Sequence, residues 1–65
     1  MISDLDIWRS ATELIKQFGD TADIEAAARA DEFFSKGDLA GQRTWLRVLK
    51  AIDELRGAQH SETKH

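Results

Sequence analysis

Between Ile7 and Phe18 the apolar side chains recur at steps of three and four: Ile7, Trp8, Ala11, Leu14, Ile15 and Phe18. That spacing lays all six on one face of an α-helix. Two start signals stand before the stripe. Ser3 can act as N-cap with the acidic Asp6 three residues on, and Ile2 and Ile7 hold the hydrophobic staple positions around that cap. The pattern predicts a first helix over about residues 4–18, with Gly19 as its left-handed terminator.

The next stripe is made of Ala26, Ala27, Ala30, Phe33 and Phe34, with Ala22 at its margin. Almost all of it is Ala until the last turn, so a neighbouring helix can lie close while the two phenylalanines fill the wider end. Asp20 or Thr21 can cap this helix, and Glu25 with Arg29 and Glu32 with Lys36 have the favourable i,i+4 order. It spans about residues 22–36 and ends at Gly37. Asp38 then caps a third helix over about residues 39–56, whose apolar face is Trp45, Val48, Leu49, Ile52 and Leu55. Gly41 projects onto that face in the first turn, where it costs about 1 kcal/mol relative to Ala. Either a neighbour approaches closely there, or the helix starts late.

Gly57 is the third candidate terminator, and residues 58–65 contain one apolar residue and no periodicity, which predicts a disordered tail. The chain has no proline and no β-branched run. An all-α fold follows, and the short connections make it a compact three-helix domain over residues 1–57.

Length changes the picture at this point. Of the 27 apolar residues in this 65-residue chain nine are Ala, which leaves 18 large side chains for a core. A single core of that size contributes about 3–5 kcal/mol, and without cysteine no disulfide can add to it. Self-association is therefore expected. Leu5, Ile24, Leu39 and Leu46 project at or beyond the stripe margins and Ala28 faces away from its own stripe, so Ile24, Ala28, Leu39 and Leu46 are the candidate partner surface. The Ala face of the second helix is the other candidate, with Gly41 permitting close approach. Trp8 and Trp45 read as core residues rather than partner anchors, and Phe18, Phe33 and Phe34 as plugs at the bundle ends.

Candidate chemistry is sparse. Both histidines, His60 and His65, fall in the expected tail, there is no cysteine, and no Ser or Thr has a base at a useful helical spacing. A helical chain this small also has little room for a pocket of about 300 Å³. No enzymatic activity and no cofactor are expected. Asp20, Asp23 and Glu25 cluster, but without the alternating oxygens and central glycine of a calcium loop; they read as carboxylates favoured by a helix N-terminus, not as metal ligands.

Arg43, Arg47 and Lys50 line up along the third helix, opposite Trp45 and Ile52, in a stripe that also holds Glu54. They support an alternative reading as a DNA-associated regulator working through that helix. The net charge of −3 and pI near 5.2 weaken phosphate attraction and argue against nucleic acid as partner. No run of 18 apolar residues is present, and the start Met1-Ile2-Ser3-Asp4 lacks a basic, apolar leader. A cytoplasmic protein with no membrane contact is expected. The leading expectation is a non-enzymatic protein-interaction module that binds itself as a homodimer or binds another protein.

The arrangement Asp6-Ile7-Trp8-Arg9-Ser10-Ala11, Leu14-Ile15-Lys16-Gln17 before Gly19, Ala27-Ala28-Arg29-Ala30-Asp31, Gly37-Asp38-Leu39 and Trp45-Leu46-Arg47 resembles a family of small bacterial proteins of unknown function. The likeness spans about residues 4 to 56 and implies one coherent domain. Where the family pattern has His before the first helix-ending glycine, this chain has Phe18, which implies no imidazole-based role there. The resemblance carries no activity and no site residue.

Overall fold

Ser3 starts the first helix as its hydroxyl allows: Oγ accepts the Asp6 N–H at 3.2 Å, and α1 runs Asp4–Phe18. The computed structural model describes residues 3–60, so the staple residue Ile2 and positions 61–65 of the expected tail lie outside the described residues. At Gly19, φ is +56° and the chain passes through a single 3-10 turn, Gly19–Thr21, into α2, Ala22–Ser35. Neither Asp20 nor Thr21 caps α2 by its side chain. The Thr21 hydroxyl donates back to the Phe18 carbonyl at 3.0 Å, and the Ala22 N–H already bonds to the Gly19 carbonyl. A turn that feeds directly into a helix supplies the acceptor that a side chain would otherwise provide.

The second turn follows its glycine. Gly37 has φ +78°, its N–H donates to the Phe34 carbonyl at 3.0 Å, and the Asp38 N–H donates to Phe33 at 2.9 Å. This pair of bonds is the Schellman closure that favours Gly in the left-handed position. Asp38 then accepts the Gly41 N–H at 2.9 Å and opens α3, Leu39–His60. The three helices contain all of the apolar stripes, and there is no strand among the described residues.

The third terminator does not act. α3 passes through Gly57 and continues to His60, so three residues of the expected tail are helical. Gly37 must reverse the chain for α3 to return along α2, whereas no reversal follows Gly57 among the described residues. An interior glycine then costs about 1 kcal/mol of propensity without breaking the helix.

Small residues dominate the core. Ile7, Leu14, Val48 and Ile52 are its large members; Ala11, Ala22, Ala26, Ala30 and Ala51 are the others. Trp45, Ile15, Leu49 and Leu55 pack around it half-buried. Ala22, Ala26 and Ala30 of the α2 Ala face are thus consumed inside the protomer and are not free for a partner, while Ala27 stands half-buried at the edge of that face. Near the Gly37 turn two successive turns of the α2/α3 pair are pinned by contacts with opposite numbering: Arg29 lies over the Trp45 ring at 5.0 Å and Phe33 meets Gly41. The helices are antiparallel. Arg56 ties the far end, donating to the Gly19 carbonyl at 2.7 Å and pairing with Asp23 at 3.4 Å.

Gly41 is at a close approach, and the neighbour is an aromatic ring. A Cβ built there would lie 2.6 Å from Phe33 Cδ1 and 2.8 Å from Cγ. Overpacking of this kind costs about 1–3 kcal/mol, against a gain of about 1 kcal/mol in helix propensity. Gly41→Ala is therefore expected to destabilise the protein by roughly 1 kcal/mol in urea melts, and to stabilise it instead in a Phe33→Ala background. Stabilisation with Phe33 intact would mean that the ring does not occupy that space.

Candidate interaction surface

Among the described residues seven large apolar side chains are exposed: Leu5, Trp8, Phe18, Ile24, Phe34, Leu39 and Leu46. Four large ones are buried and five more are half-buried. Isolated exposed leucines are ordinary on a protein surface. An excess of exposed over buried large side chains, in a chain with so few, is not.

Every member of the sequence-derived partner surface is on the outside. Ile24 is 65% exposed, Leu39 56% and Leu46 45%, and Ala28 is exposed as well. Helical projection then sorts them. On α2, Asp23, Ala27 and Phe34 lie on the flank away from α1, which the Asp23–Arg56 ion pair marks as an α3-facing edge. On α3 the corresponding flank carries Leu46 and Leu49, with Leu39 next to them. Ile24 borders this two-helix face, and Ala28 sits at its outer margin, turned away from α3. The structure thus joins Leu39 and Leu46 with Phe34 and Ala27, which are additions to the surface read from sequence. Phe34 is 59% exposed rather than a plug for the bundle end; its neighbour Phe33 takes that role against Gly41.

A second apolar area lies on α1. Trp8 is 38% exposed and forms, with Leu5, Arg9, Thr12 and Glu13, an open dish of about 530 Å³ on that helix alone. Its helical position is about 100° from Ile7, at the flank of the stripe, which is why it lies outside the core instead of in it. Phe18, also expected inside, is exposed at the end of α1. Only Trp45 of the two tryptophans packs on the core, where the Arg29 guanidinium covers it and the Glu25 carboxylate holds Arg29 at 3.3 Å. That i,i+4 pair, like Glu32 with Lys36 at 3.8 Å, is where the sequence places it.

The basic stripe of α3 is interrupted. Arg47 donates to Asp4 at 2.6 Å, and Arg47 and Lys50 share with Asp4, Trp8 and Glu54 a groove of about 290 Å³ between α1 and α3. Its cations are matched by carboxylates. Arg43, the third member, is exposed and in no ion pair among the described residues. The acidic trio is also dispersed: Asp23 is held by Arg56 and Glu25 by Arg29. Among the described residues no group of three metal-ligating side chains forms.

Sequence reading missed Arg56. Nothing in the periodicity singles out an arginine at the end of an apolar stripe, yet it joins the first turn, α2 and α3. Among the described residues no helix is long and apolar enough to cross a membrane. No family model matches the chain, and no curated protein or solved structure is significantly similar to it.

Proposed function

We propose that the protein is a non-enzymatic interaction module whose partner is a second copy of itself. The observation that carries this reading is the exposed share of its apolar inventory: among the described residues seven large side chains are exposed, five half-buried and four buried. Each exposed side chain that a partner covers contributes about 25 cal/mol per Å² of apolar area, and an isologous contact covers each one twice. A core built largely of Ala leaves the protomer little stability of its own, so pairing adds burial where the protomer is weakest.

The stability of such a dimer depends on protein concentration. Raising the concentration from the micromolar range by about two orders of magnitude should raise the melting temperature by several degrees, because association is linked to folding by mass action. Melts at one temperature throughout that range would defeat self-association and leave a different protein as the partner. The likeness to small bacterial proteins of unknown function adds no activity to this reading.

A further inference from the structure

We infer that the second copy docks on the α2/α3 face, with α2 of each protomer lying along α3 of the other about a two-fold axis parallel to these helices. This inference rests on the self-association reading and specifies its face and geometry.

Charge decides the pairing. Of the four carboxylates on α2, Asp23, Glu25 and Glu32 are paired within the protomer and Asp31 is in no ion pair among the described residues; of the four cations on α3, Arg47 and Arg56 are paired, Lys50 lies in the α1/α3 groove, and Arg43 is in no ion pair among the described residues. A two-fold axis perpendicular to the helices would stack α2 on α2 and α3 on α3, like charge on like. An axis parallel to them exchanges the helices and sets the acidic one against the basic one, which attracts at the rim and steers encounter.

Register agrees with that axis. Within the protomer Phe33 meets Gly41 and Arg29 covers Trp45, so each step down α2 matches a step up α3. Asp31 is then level with Arg43, and Leu46 and Leu39 lie within one residue of the levels of Ala27 and Phe34. A rotation about an axis parallel to the helices keeps every level while exchanging the helices. Asp31 of one copy therefore comes opposite Arg43 of the other, small Ala27 opposite the larger Leu46, and Phe34 beside Leu39. Asp31 and Arg43 are both exposed and have no ion-pair partner among the described residues. A large side chain opposite a small one is the arrangement that lets two helix layers interdigitate.

The test is a set of dimer dissociation constants, measured by dilution calorimetry on the full chain. Leu46→Glu should weaken the dimer at least about tenfold, equivalent to about 1.4 kcal/mol. Asp31→Arg and Arg43→Asp should each weaken it about three- to tenfold, and the double reversal should return within about threefold of wild type, as a direct charge pair requires. Leu5→Glu, on the α1 area, should leave it unchanged. All four substituted positions are exposed, and circular dichroism should find each of the five variants as helical as wild type. A dimer that survives Leu46→Glu and both single reversals but dissociates with Leu5→Glu would overturn the α2/α3 face while leaving self-association standing. A wild-type chain with no heat of dilution and one concentration-independent melting temperature would overturn the reading beneath it.

Discussion

Replacing Ile52 by Ala is expected to leave the chain largely unfolded at micromolar concentration. Ile52 is fully buried, and with Val48 it is one of the two largest side chains in that state. Ile-to-Ala changes at such positions cost about 2–5 kcal/mol, in proportion to the cavity that remains. One core of this size provides about 3–5 kcal/mol in all. The surrounding alanines are too short to collapse into the space. Helical circular dichroism should fall toward the coil signal, and a cooperative melt within about 1 kcal/mol of wild type would show that the core extends well beyond the residues named above. Trp8→Ala is a sharp contrast: with its ring partly in solvent, its loss is far smaller than a core tryptophan would give.

Ala26→Leu is expected to be nearly as damaging for the opposite reason. Ala26 has no exposed surface and belongs to the line of small residues that lets α2 lie close to its neighbours. Extra carbons there must push the helices apart or force a strained rotamer, which costs about 1–3 kcal/mol and more where several neighbours must move. The same substitution at exposed Ala28 leaves protomer stability within about 0.5 kcal/mol. Chemical denaturation of the pair measures the difference. Equal stabilities would mean that the buried Ala face has room to spare.

Local features of the fold were legible in the sequence because they depend on residues three or four apart. Ser3 and Asp38 cap where their oxygens reach an N–H, and Gly19 and Gly37 take the positive φ that their turns require, Gly19 with a ψ outside the left-handed helical region. Gly57 shows the limit of that logic. A glycine permits a turn, and only a following element that packs back makes one. The Ala stripe of α2 also pointed to a close helix contact, but not to whether the neighbour was inside the protomer or beyond it.

The surface was legible in part. Ile24, Ala28, Leu39 and Leu46 could be set apart from the stripes by projection alone, and all four are exposed. Their grouping with Phe34 and Ala27 depends on how α2 and α3 are rotated against each other, a tertiary property that no single-helix projection contains. Trp8 was misjudged for a related reason. A large aromatic at the edge of a stripe can cover the core or enter it, and the choice is made by the width of the neighbouring helix contact. Arg56 and the Arg47–Asp4 pair are long-range and left no sequence signal.

Sedimentation equilibrium of the unmodified chain, from low micromolar to several hundred micromolar, addresses the central claim most directly. The account predicts a weight-average mass that rises with concentration from 7.3 kDa toward twice that value and no further, as a closed two-fold pair requires. A mass that stays at 7.3 kDa over the whole range would contradict it.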